Sequence, residues 1–167
     1  MVKINIIAAI DKNRAIGYKN KLLFHIDEDM KHFKQLTTGH AIVMGRRTFE
    51  SLPNGALPHR RNIVVSTTMK KKEEEEGCSI HKQQGIEVYG SLTEALAACT
   101  TEDDIYIIGG EKIYQQAITF AHRLYLTIID ASAPHADAWF PCFYGWQLKE
   151  ETPRKGYWFR VYERGKK

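Results

Sequence analysis

Ile105-Tyr106-Ile107-Ile108-Gly109-Gly110-Glu111-Lys112 joins a β-rich apolar run to two glycines and a charged start. Successive apolar residues fit a strand buried on both faces, and paired glycines end it in a turn. Ile113, Tyr114, Ala117 and Ile118 then recur at helical spacing. The same grammar stands upstream, where Ala41-Ile42-Val43-Met44 runs into Gly45-Arg46-Arg47-Thr48. Asn62-Ile63-Val64-Val65-Ser66 and Ile86-Glu87-Val88-Tyr89 read as further short strands. Ser91-Leu92-Thr93-Glu94 is a capping box opening a helix through about Ala98. This alternation predicts an α/β fold: a mostly parallel sheet with helices on both faces. Residues 123–129 form another strand, and residues 147–151 and 157–163 are expected to close the sheet as an antiparallel pair.

With 167 residues, 43% of them hydrophobic and 26% charged, the chain has globular composition and the length of one domain, expected over 1–167. Lys and Arg total 24 against 20 for Asp and Glu, a net charge of +4. That mild excess fits an anionic ligand and falls far short of a dedicated nucleic-acid binder. Collagen, coiled coil, transmembrane protein and disulfide-rich secreted scaffold are all poor fits. Three cysteines (Cys78, Cys99 and Cys142) are an odd count with no Cys-x-x-Cys spacing, so neither a disulfide framework nor a metal site is expected. The N-terminal apolar run, interrupted by Asn5 and turning polar at Asp11-Lys12-Asn13-Arg14, reads as a buried strand and not as a signal peptide. The expected compartment is the cytoplasm.

Two stretches stand apart. Lys70-Lys71-Lys72-Glu73-Glu74-Glu75-Glu76 has no apolar face and reads as a solvated surface connection outside the core. Residues 10–25, with Ile16-Gly17 and Lys19-Asn20, form a long weakly periodic segment, a candidate lid over a ligand.

Chemistry is expected where glycine-rich turns follow strands, because free backbone N–H groups there can meet phosphate oxygens. Gly45-Arg46-Arg47-Thr48 and Gly109-Gly110-Glu111-Lys112 both qualify and both carry cations. Neither is a Walker loop, and no Gly-x-Gly-x-x-Gly occurs. Each turn alone is ordinary turn chemistry; two at the carboxyl edge of one sheet point to a ligand cleft. Within residues 25–34, Asp29 and Phe33 share a helical face with Ile26, near Met30, whereas Asp27 and Glu28 lie off that stripe. Three acids at a helix start suit the helix dipole. A carboxylate on an apolar face must also be paired or put to use.

These residues together resemble the dihydrofolate reductase family. The resemblance runs from about Ile4 to Val161: Ile7-Ala8-Ala9, Ile16-Gly17, Asp29 with Phe33, then Val43-Met44-Gly45-Arg46-Arg47-Thr48-Phe49-Glu50-Ser51. It continues through Leu57-Pro58-His59-Arg60-Arg61-Asn62-Ile63-Val64, Ile107-Ile108-Gly109-Gly110 and Leu124-Tyr125-Leu126-Thr127. It implies one domain with an eight-stranded, mostly parallel sheet and an antiparallel C-terminal strand. It also implies NADPH-dependent reduction of dihydrofolate to tetrahydrofolate, which feeds one-carbon metabolism and thymidylate and purine synthesis. Antifolate inhibitors, no nucleic acid, no membrane and a monomeric state complete the implied partners.

On the cofactor side the resemblance places Arg46 on the 2′-phosphate, aided by Ser66 and Thr67. Arg47 and Thr48 hold the pyrophosphate, and Gly45, Gly109, Gly110, Glu111, Lys112 and Ile113 complete the cradle. Ala9, Ile16, Ile108 and Tyr114 line the nicotinamide end, and a cis peptide is implied between Gly109 and Gly110. On the substrate side Asp29, buttressed by Thr127, bonds the pterin's N3 and 2-amino group and promotes protonation of N5. Carbonyls of Ile7 and Ile108 line that pocket with Ala8, Ala9 and Tyr114. Met30, Phe33 and Leu57 pack on the rings, and Arg60 clamps the glutamate α-carboxylate with its planar fork. Asp29 is the only ionisable pocket group this reading supplies. Burial raises its pKa while hydrogen bonds and the helix start lower it, and the sequence leaves that balance open.

The chain departs from the family pattern at three places. Leu22-Leu23-Phe24 replaces a usual Leu-Pro-Trp, Asp27 replaces a proline at the helix start, and His59 stands where glycine is usual. Losing two prolines is expected to loosen residues 11–25. A reductase of the same fold acting on a riboflavin-pathway pyrimidine is the nearest rival, and Asp29 with Phe33 and Arg60 favours folate. A non-catalytic nucleotide or nucleic-acid module is the second; the acids that follow the lysine run argue against it.

Overall fold

Ile6 and Ile7 point to opposite sides of one strand, and that alternation organises the molecule. They belong to β1 (Lys3–Ile10), in a computed structural model that describes residues 2–165. After β1 come β2 (Ala15–Tyr18), β3 (Lys21–Leu22), α1 (Asp27–Thr37), β4 (Ala41–Gly45) and α2 (Arg46–Glu50). Next are β5 (Arg61–Val65), α3 (Thr67–Glu76), α4 (Ser79–Gln83), β6 (Ile86–Tyr89), α5 (Leu92–Ala97), β7 (Asp104–Gly109) and α6 (Glu111–Ala117). β8 (Arg123–Ile129), β9 (Ala138–Trp139), β10 (Gln147–Arg154) and β11 (Tyr157–Glu163) complete the described chain.

Eight strands form the main sheet in the order β10-β11-β8-β1-β7-β4-β5-β6. Pairings from β8 through β6 are parallel, and β11 runs antiparallel to both β8 and β10. The expected α/β architecture and closing antiparallel pair are therefore present, with β10 running three residues beyond its predicted end. One face packs Ile6, Val43, Ile63, Ile105, Ile107 and Leu124 beneath Leu92 and Ala95 of α5 and Ile113 and Ala117 of α6. The other packs Ile7, Ile42, Met44, Val64 and Tyr106 against Phe33 and Leu36 of α1, Phe49 of α2 and Met69 of α3. Burial on both faces explains why these strands read as unbroken apolar runs.

Two expectations need refining. Residues 70–76 are mostly exposed, as expected, but they are helical and belong to α3. Ser66 caps that helix by accepting a hydrogen bond from Met69 N, and Met69 packs on the core. Glu73 then binds Lys70 at 3.0 Å and the buried His81 Nδ1 at 2.6 Å, docking α3 on α4. Residues 10–25 are likewise not a plain loop, because β2 pairs with β3 and β9 in a second, three-stranded sheet. No described helix is long and apolar enough to cross a membrane.

Candidate active site

The carboxyl ends of β4 and β7 lie side by side, so the turns that follow them open onto one cleft. Gly45 and Gly110 occupy the N-cap positions of α2 and α6, and neither helix start has a side-chain cap. By contrast α3 and α5 are capped by Ser66 and Ser91. The helix starts facing the cleft thus keep free N–H groups for a ligand. The Gly109–Gly110 peptide is cis. Space also demands glycine here: a Cβ on Gly109 would lie 3.2 Å from Tyr114 Oη, and one on Gly45 3.3 Å from an Ile113 side-chain carbon.

The cleft has a volume of about 930 Å³. Ala9, Ile16, Gly45, Arg46, Arg47, Thr48, Ile108, Gly109, Gly110, Glu111, Lys112, Ile113 and Tyr114 all line it. Arg46 Nε stands 3.5 Å from Glu50 Oε1, holding the guanidinium at the rim. The small sheet covers one side: Lys19, Asn20 and Leu22 line the cleft with Asp137 and Ala138. Asn20 Nδ2 donates to Arg47 O at 3.0 Å, and Lys19 N donates to Asp137 Oδ2 at 3.0 Å. The candidate lid is therefore fastened to the arginine turn. Ser66 and Thr67 do not line this cleft; Ser66 is engaged as a cap, and Thr67 lies in a separate depression with Lys70, Lys71 and Glu94.

A second group of residues gathers behind the Ile108 and Tyr114 wall. Tyr114 is buried, and its hydroxyl donates to Ile7 O at 2.8 Å. Burial pushes the Tyr114 phenol well above its ordinary range, and the charge of Asp29 adds to that push. Asp29 sits in the first turn of α1, half-buried, and accepts a 2.5 Å hydrogen bond from Thr127 Oγ1 of β8. Desolvation raises the Asp29 pKa, outweighing the hydrogen bond from Thr127 and the nearby His32, which lower it. Phe33 and Leu57 pack in the same cluster as Ile7 and Ile108, whereas Met30 is 44% exposed. Arg60 donates to Pro58 O at 2.9 Å and to Thr37 Oγ1 at 3.1 Å, so its guanidinium is oriented one turn beyond Phe33. Burial draws the Arg60 pKa down from its high ordinary value.

The dihydrofolate reductase family model matches residues 3–163. The chain belongs to the dihydrofolate reductase family. It is 42% identical over 151 residues to the type 3 dihydrofolate reductase of Salmonella typhimurium, covering 89% of this chain and 86% of that protein. Against dihydrofolate reductase of Bacillus subtilis (strain 168) it is 37% identical over 170 residues, covering 96% and 94%. Dihydrofolate reductase of Buchnera aphidicola subsp. Acyrthosiphon pisum is 42% identical over 140 residues, covering 84% and 80%.

Within this member of the dihydrofolate reductase family, sequence reasoning missed three kinds of residue. Asp137 and Ala138 reach the cleft from the short strand β9, whose partner β2 is remote in sequence. Thr37, fully buried, orients Arg60 while donating to Phe33 O at 2.8 Å. His32 is a titratable neighbour of Asp29 on α1 and stacks on Phe159 of β11. The family departures are all visible. Leu23 and Phe24 are half-buried, Asp27 opens α1 with His25 at 3.1 Å, and His59 adopts φ 59°.

Proposed function

We propose that this chain reduces 7,8-dihydrofolate to 5,6,7,8-tetrahydrofolate with NADPH as reductant. The observation that carries the reading is the pairing of one half-buried carboxylate, Asp29 on Thr127, with a glycine-lined cleft rimmed by Arg46, Arg47 and Lys112. NADPH, when bound, supplies the hydride that reaches C6 of the pterin.

The cleft suits such a dinucleotide because two uncapped helix starts and three cations converge where its phosphates would lie. Arg46 takes the 2′-phosphate, Arg47 and Thr48 the pyrophosphate, and Lys112 the remaining negative charge. Thr67 and Ser66, which lie outside the cleft, would aid Arg46 from the start of α3. Gly109 and Gly110 allow close approach, while Ala9, Ile16 and Tyr114 exclude water from the reacting end.

Thr127 takes one lone pair of Asp29 Oδ1, leaving Oδ2 and the second lone pair of Oδ1 for the pterin N3 and 2-amino group. Burial gives Asp29 a larger protonated fraction near neutrality than an ordinary carboxyl, which suits it to promote protonation of N5. Ile7 and Ile108 carbonyls complete the ring's edge with Ala8 and Ala9. Met30, Phe33 and Leu57 hold the ring and benzoyl group, and Arg60 meets the glutamate α-carboxylate.

Three free cysteines suit a reducing cytoplasm, and we assign the protein there as a monomer open to antifolate inhibitors. The deciding test follows NADPH absorbance with purified protein and dihydrofolate. Steady loss of absorbance only when both are present supports the reading; no turnover overturns it.

A further inference from the structure

We propose that His32 is a positioning residue for Asp29, an imidazole held one helical turn away by its stack on β11, whose charge tunes the carboxylate. The geometry is a closed ring of four residues. Asp29 and His32 are three apart on α1, the spacing that places side chains on one face. His32 stacks on Phe159 of β11 with ring centroids 4.2 Å apart and planes 25° apart. Phe159 is the register partner of Thr127, and Thr127 donates to Asp29. The half-buried imidazole therefore cannot change rotamer without losing its stack.

The other charges nearby act in opposite senses. On α1 the group facing His32 besides Asp29 is Glu28, and from β10 it is Arg154. Arg154 Nε bonds Glu28 Oε1 at 2.5 Å, and Tyr157 Oη of β11 donates to the same oxygen at 3.2 Å. Arg154 also lies over the Phe159 ring, 5.7 Å from its centroid. Glu28 and Arg154 act in opposite senses at the imidazole, and Asp29 is the largest charge influence on it. From the other side Asp29 faces Thr127 of β8, Tyr114 of α6 and Tyr157, all uncharged near neutrality. Burial lowers the His32 pKa while Asp29 raises it; reciprocally, His32 lowers that of Asp29. The influence is reciprocal: the charge of each group moves the midpoint of the other in the opposite sense.

The role of the pair in the reaction rests on the reductase reading above, but the coupling is measurable without turnover. The imidazole proton resonances are followed by NMR against pH in the wild type and in Asp29→Asn, with His32→Gln identifying the His32 signal among seven histidines. The His32 midpoint is expected to fall by about 0.5 unit or more when Asp29 loses its charge. As a second measurement, the fall of kcat for dihydrofolate as pH rises and Asp29 loses its proton is compared in the wild type, His32→Gln and His32→Phe. Phe keeps the stack and removes the charge. Both variants are expected to move the Asp29 midpoint upward by a similar amount. Coupling in the NMR titration without any turnover would support the pair and sink the reductase reading. An unchanged His32 midpoint in Asp29→Asn, or coincident pH profiles in wild type and both His32 variants, would overturn the proposal.

Discussion

Thr127 Oγ1 stands 2.5 Å from Asp29 Oδ1, tying the middle of β8 to the first turn of α1 across 98 residues of chain. This bond favours the ionised carboxylate and opposes the desolvation that favours the neutral one. Removing the donor in Thr127→Val, which keeps the shape, should let desolvation act unopposed. Hydrogen bonds to charged groups contribute about 1.5–3 kcal/mol, so the Asp29 midpoint should rise by roughly one unit or more. The pH profile of kcat/KM for dihydrofolate reads this directly, and an unchanged midpoint would detach Thr127 from the carboxylate's chemistry.

Asp29→Asn separates the rate from stability. The Asp29 pKa is raised in the folded protein, so the native state binds its proton more tightly than the unfolded chain does. Its favourable contribution is complete below the ordinary carboxyl range and is lost as pH rises through the folded value. Above that value the protein carries the full cost of a desolvated charge. Asp29→Asn should therefore be more stable than wild type at pH 7.5, with the gap narrowing in acid. Its neutral-pH rate should collapse and recover partly in acid, where N5 is already protonated. Urea unfolding and pH-rate curves test both halves, and a near-normal rate at neutral pH removes Asp29 from the mechanism.

Arg46 lies at the cleft rim beside Glu50, the first side chain after the β4 turn. An arginine–phosphate contact is charge-assisted and specific to a cofactor that carries the extra phosphate. Arg46→Ala should raise KM for NADPH on the order of 10- to 100-fold while leaving NADH use little changed. Equal losses with both cofactors would mean that Arg46 does not read the 2′-phosphate.

His59 adopts φ 59°, a left-handed conformation that its Cβ disfavours, while its carbonyl accepts a 2.8 Å bond from Gly39 N. His59→Gly should relieve this and stabilise the protein by up to about 1 kcal/mol. Thermal unfolding is the measurement, and a lower Tm would show that the imidazole contributes more than its backbone costs.

What the sequence made legible follows from burial. Central strands such as Ile105 to Ile108 are covered on both faces, so they announce themselves as apolar runs, and the glycine turns after them mark the cleft. Thirteen of the fifteen residues expected to bind cofactor line that one cleft. β3 and β9 carry no such signal, being two residues long and built from side chains such as Lys21, Leu22 and Trp139 that remain exposed. α3 hid behind its charges. The usable clue was Ser66 three residues before Met69, a cap signal, together with Lys70 and Glu73 at helical spacing. His32 could not be found from its own helix alone, because the ring that fixes it comes from β11.

Gly109 is a position where any side chain meets two obstacles. Its φ of 126° lies outside the range L residues favour, and an added Cβ would sit 3.2 Å from Tyr114 Oη and 3.3 Å from Cζ. The Tyr114 ring is buried and cannot retreat without releasing the bond to Ile7 O, the link between the cleft and the Asp29 pocket. Gly109→Ala should therefore cost about 1–3 kcal/mol of stability and weaken binding on both sides of Tyr114. Tyr114→Phe removes only the hydroxyl and should cost about 1 kcal/mol. In the double variant the Oη contact is gone, so the combined loss should be smaller than the sum of the single losses. Strict additivity in urea unfolding would show that the Tyr114 hydroxyl is not what requires glycine at this turn.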